Sequence, residues 1–199
     1  MSEAENSVQF GLKNVHYATM NADGSYKTPV HVPGAVNLTL KEESSVTKYY
    51  ADNVLYYVSN TGSGYSGDLE MARFINQMLV DIWHFLEHST DHTLIEQAGV
   101  EPSKFALLFE IDGDVGSSKY VLYAVTAGKP GITGETKKDT SEPKGQSCSI
   151  NAQPLSNGRI SARTTEKTPK SVTDNWYKSV YIPSDEQAVA NQTEADQGG

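Results

Sequence analysis

A single cysteine in 199 residues rules out an intrachain disulfide, and with it the cross-linked frameworks of small secreted domains. No apolar run approaches the roughly 18 residues that a membrane-spanning helix needs. The opening MSEAENS is acidic and polar, unlike a secretory leader, so the chain is expected to be made and kept in the cytoplasm unless it leaves by lysis or inside a larger particle. Basic residues are outnumbered: 16 Lys and Arg face 25 Asp and Glu, for a net charge of -9. That balance argues against tight, phosphate-led binding of nucleic acid. Four of the acids, Asp185, Glu186, Glu194 and Asp196, lie in the base-free ending SDEQAVANQTEADQGG. Without them 21 acids oppose 16 bases, so the body is only mildly acidic and the ending reads as a disordered tail.

Eleven tyrosines and sixteen glycines favour strands and turns. Val36, Leu38 and Leu40 alternate with polar neighbours, which predicts a half-buried strand. SSVTKYYADNVLYYVSN places two tyrosine-rich runs around Ala51-Asp52-Asn53 and predicts a β-hairpin over 46–60. Adjacent tyrosines put one ring on each face of a strand, so Tyr49, Tyr50, Tyr56 and Tyr57 call for partners on both faces. Either the hairpin is packed inside the fold or it reaches out to another subunit. NTGSGYSG then separates it from a further short strand, SGDLEMARF.

Residues 73–88 carry Ile75, Met78, Leu79, Ile82, Phe85 and Leu86 at three-and-four spacing, which predicts one amphipathic helix. FALLFEI and KYVLYAV, apolar on both faces, flank the turn residues Asp112-Gly113 and predict a central hairpin. Residues 132–147 form a long polar loop. SCSINAQPL, GRISART and WYKSVYIP are expected to be the last strands, with Cys148 alternating inward beside Ile150 and Ala152. There is no repeat and no strand–helix rhythm. The fold class is therefore mainly β: a β-sandwich or half-barrel with one flanking helix at about 73–88, long loops and a disordered C-terminal tail. The domain plan is a flexible arm over 1–8, one domain over 9–183 and an acidic tail over 184–199.

HFLEH, His84 to His88, matches the H-x-x-E-H pattern of inverzincin proteases, and His92 follows four residues later. On a helical wheel with Ile75 at zero, His84 falls at about 180° and His88 at about 220°, opposite the core stripe. A catalytic pair should instead face a walled cleft with a third ligand. The expectation is a solvated helix face. IDGDVGS begins like a calcium loop but lacks the later ligands, and NTGSGYSG has no Lys-Ser/Thr at a helix start. No catalytic residue, cofactor or metal site is expected.

Several segments, in order, resemble the major tail proteins of siphophages, of the phi13 type. They are FGLKNVHYATMNADGSYKTPVHVPGAVNLTL, YYADNVLYYVSNTGSGYSGDLEMA, EPSKFALLFEIDGDVGSSKYVLYAVTAGKPG, TKKDTSEPKGQSCSINAQPL and NWYKSVYIP. Together they run from residue 10 to residue 183 and cover about two thirds of that span. After GDLEMA the family pattern has a shorter helix, whereas ARFINQMLVDIWHFLEHSTDH is more hydrophobic and carries the histidines. The resemblance implies a non-enzymatic virion protein that forms hexameric rings. These stack into a tail tube, through which double-stranded DNA passes without specific binding. It implies tape-measure, tail-terminator and tail-tip proteins as partners. Candidate assembly contacts are Tyr49, Tyr50, Asn53, Tyr56 and Tyr57, loop 132–147 and the two termini, with Trp83 and the histidines assigned to a neighbouring subunit or a neighbouring ring. The alternatives are a β-sandwich binding module, such as a virion decoration or host-surface adhesin, and a zinc hydrolase.

Overall fold

The computed structural model describes residues 9–51, 54–113, 117–132, 134 and 145–183. The expected arm 1–8, tail 184–199 and most of loop 132–147 lie outside the described residues. In chain order the elements are β1 (Gln9–Thr19), β2 (Val30–His31), β3 (Ala35–Ala51), β4 (Val54–Met71) and α1 (Asn76–Trp83). Then come β5 (Leu86–Glu87), β6 (Leu94–Ile95), β7 (Phe105–Gly113), β8 (Ser118–Ala127), β9 (Gln146–Gln153), β10 (Ser161–Arg163) and α2 (Lys170–Thr173). The protein is mainly β, and every strand pairing is antiparallel.

One sheet runs β2-β1-β7-β8-β9-β4-β3, with β10 added to β8, and β5 and β6 form a separate small pair. The expected central hairpin is there, as β7 and β8. Its doubly apolar sequence has a direct cause, because both faces are covered. Phe105, Leu107 and Phe109 point into one cluster, while Ala106 and Leu108 point into another. The first cluster also takes Val15 and Tyr17 from β1, Leu69 and Met71 from β4, and Cys148, Ile150 and Ala152 from β9. Strands from opposite ends of one sheet therefore share a core, so the sheet curls around it, an arrangement compatible with the sandwich and half-barrel expectations. Cys148 alternates inward as expected, with Ser147 and Ser149 outward.

Helix α1 closes this core with Met78, Ile82 and Trp83. The Tyr17 hydroxyl donates to Asp81 at 2.8 Å and ties the helix to β1. The helix is half as long as the apolar stripe predicts. It ends at Trp83 because His84 adopts a left-handed conformation (φ 56°), and the N–H groups of His84 and Phe85 both turn back onto the Leu79 carbonyl. The stripe residue Leu86 is consequently exposed, in β5.

The second cluster also differs from expectation. WYKSVYIP is not a strand: α2 and the turns after it lay residues 170–183 across the back of β7 and β8. Trp176 is buried there against Ala18, Ala106, Leu108, Val121 and Tyr123. The chain thus has a second short helix, and one face of the central strands is covered by this irregular strap.

Candidate functional site

The half-buried strand, the hairpin over 46–60 and the strand SGDLEMARF are parts of one long hairpin. β3 and β4 pair from Ala35 opposite Met71 to Ala51 opposite Val54. Val36 falls at a register shift between Ala35 and Asn37 and is exposed, whereas Leu38 and Leu40 pack on the core. NTGSGYSG does not interrupt β4. Its glycines let the ribbon pass close to its neighbours: a Cβ on Gly64 (φ 138°) would lie 2.0 Å from the Ala152 carbonyl oxygen, and one on Gly67 1.8 Å from that of Thr39.

Only the inner half of this hairpin belongs to the wider sheet, since β9 pairs with β4 from Tyr65 to Met71. Residues 44–51 and 54–62 pair with each other and with no other described strand. Eight paired positions at about 3.4 Å each make a two-stranded arm about 27 Å long. A lone two-stranded ribbon is marginally stable in water and leaves its outer N–H and C=O groups unpaired. The candidate tyrosines all lie on this arm: Tyr49 is opposite Tyr57, Tyr50 opposite Leu55, and Tyr56 falls at the register shift between them. Asn53, with Asp52, lies outside the described residues, between the paired Ala51 and Val54.

Beside the base of the arm, the outward faces of β3, β4 and β9 form an open groove of about 580 Å³. Its lining includes Thr39, Lys41, Ser66, Asp68, Ser149 and Asn151, a neutral set of hydroxyls and amides with one base and one acid.

The histidines do not share a helix face, because α1 ends before them. His84 Nε2 lies 3.0 Å from the Ser103 hydroxyl, His88 Nδ1 2.9 Å from Asp91, and His92 Nδ1 2.7 Å from Glu87. Among the described residues no three His, Cys, Asp or Glu side chains converge as metal ligands. The three histidines are exposed, as expected, but on the turn and small hairpin after the helix rather than on its outer face. Trp83 is not at a surface. It is 2% exposed, and its indole N–H donates to the carbonyls of Ala127 (3.1 Å) and Gly128 (3.0 Å). The Cys148 thiol is buried, which pushes its pKa up to about 12, with the nearby charge of Asp68 adding to the effect. Such a thiol makes a poor nucleophile.

Neither the models of known protein families nor the curated proteins contain a match to this chain.

Two features lay beyond the reach of the sequence reading: the groove, and a buried polar cluster under the strap. Glu110 is 6% exposed, accepts from Asn14 at 2.8 Å and from Tyr177 at 3.2 Å, and pairs with Lys13 at 3.4 Å. Burial pushes its carboxyl up, but hydrogen bonds from Asn14 and Ser117 and the charge of Lys13 prevail and hold it below the usual range. The available signal was Glu110 at the end of an otherwise apolar strand.

Proposed function

We propose that this protein is the structural subunit of a siphophage-type tail tube, with no catalysis, which self-assembles into stacked hexameric rings around a channel for double-stranded DNA. The ordered set of resembling segments motivates the reading, and the two-stranded β3–β4 arm carries it. A ribbon of this length, without a described partner beyond its base, is suited to binding another subunit. There its outer backbone edges would be paired and its tyrosines buried. A net charge of -9 suits a conduit, because an acidic wall repels phosphate and lets the polymer slide. The tube would be closed and filled by terminator, tail-tip and tape-measure proteins of the same virion.

Negative-stain microscopy of the concentrated protein tests this. Tubes are expected from the wild type. Replacing Tyr49, Tyr50, Tyr56 and Tyr57 together by serine should abolish them while leaving the far-UV spectrum folded. A wild type that stays monomeric at every concentration, in virions without a 21.7 kDa band, sinks the proposal. The polar groove favours a second reading, a binding module. Saturable binding to cell wall or glycan, abolished by Asp68→Ala and without tubes, would select it.

A further inference from the structure

Polar ties join the strap to the rest of the fold along its length, from Tyr120, Tyr123 and Arg159 among others, and several of them meet in a cluster of titratable groups around Tyr177. The register shift between Lys13 and His16, with Asn14 in a left-handed conformation (φ 52°), turns His16 and Ala18 toward the strap while Val15 and Tyr17 enter the main core. There the His16 ring stacks on Tyr177 at 4.3 Å and meets the His31 ring at 4.8 Å. On the same tyrosine, the hydroxyl donates to Glu110 and Lys119 Nζ lies 5.2 Å from the ring centroid. Lys119 also donates to the Thr173 carbonyl at 2.8 Å, which fixes α2. Tyr177 is thus the point where β1, β7 and β8 all hold the strap, with His31 of β2 packed behind His16.

From this geometry we infer that His16 and Tyr177 form an acid-sensitive latch, and that protonating His16 loosens residues 170–183 on the back of β7 and β8. The charges around it are mixed. Lys13, Lys119 and His31 oppose a new positive charge, and Glu110 and Asp112 attract it. Lys13 already pairs with both carboxylates. His16 Nδ1 is held by the Asn14 carbonyl at 2.7 Å, so the added proton must go to Nε2. Burial holds His16 below its ordinary value of 6.5; the Asn14 carbonyl opposes this, and the charge of His31 adds to it.

The sign follows. A group whose value is depressed in the closed form supports closure fully above its free value and loses that support as pH falls through it. The window therefore opens below pH 6.5, well above the range in which Glu110 titrates. One unit below, at pH 5.5, complete exclusion of one proton would weaken closure by at most about tenfold.

Hydrogen exchange, corrected for intrinsic rates, tests the latch at pH 7.5 and 5.5. Strap amides of the wild type should lose up to about tenfold in protection on acidification, while β7 and β8 amides keep theirs. His16→Gln should abolish the loss, and His31→Gln should reduce it by removing the neighbouring charge. Unchanged strap protection in the wild type overturns the latch, as does an equal loss in His16→Gln. Should His16→Gln fail to fold, His31→Gln decides: a reduced loss supports the latch and a loss equal to the wild type's overturns it.

Discussion

Replacing Trp83 distinguishes a core residue from a subunit contact. In the structure its indole meets Phe74 edge-on at 5.7 Å, closes the space between α1 and β8, and donates to two carbonyls at the end of β8. Trp83→Ala should therefore leave a cavity and cost about 3–5 kcal/mol. Trp83→Phe keeps most of the ring contact but leaves the Ala127 and Gly128 carbonyls without that donor, at a cost of about 1–2 kcal/mol. With a urea m-value of about 2 kcal/mol/M, the unfolding midpoint should fall by roughly 2 M for alanine and 0.5–1 M for phenylalanine. Equilibrium urea unfolding followed by far-UV circular dichroism measures both. The reasoning fails if Trp83→Ala moves the midpoint by less than about 0.5 M. If self-association were lost instead, the ring would belong to a subunit surface.

Two further outcomes follow from the same packing. Gly67→Ala should cost about 2 kcal/mol or more, because its Cβ would meet the Thr39 backbone rather than a movable side chain. Thermal unfolding should fall by about 4–8 °C for a chain of this size. Gly131→Ala, with nothing within 4 Å, should be nearly neutral, and equal shifts in the two variants would refute the argument. The Cys148 thiol should resist an aromatic disulfide reagent at pH 8 until urea unfolds the protein; rapid stoichiometric labelling of the native state would contradict its burial.

Wherever one local pattern had one structural outcome, the sequence by itself determined the result. FALLFEI and KYVLYAV are too apolar on both faces for any place but the middle of the sheet, and Ser147 to Ala152 alternate strictly, which fixes one inward face. The arm's tyrosine runs likewise required a hairpin.

The tertiary structure decided the elements whose patterns admit more than one conformation. The stripe from Ile75 to Leu86 reads as a helix to its end. Yet Trp83 must reach the Ala127 and Gly128 carbonyls, and the chain reverses at His84. WYKSVYIP alternates like a strand, but turns bury Trp176 on a sheet face that no described strand covers. Gly64 and Gly67 read as a loop, because their close approaches to Ala152 and Thr39 exist only once three strands are side by side. HFLEH has the same explanation. Its letters place two histidines on one helix face, but the helix stops before them, and His84, His88 and His92 find separate partners in Ser103, Asp91 and Glu87. Local periodicity records which residues prefer burial. Where the chain turns, and which surface it turns onto, depends on contacts between residues far apart in sequence.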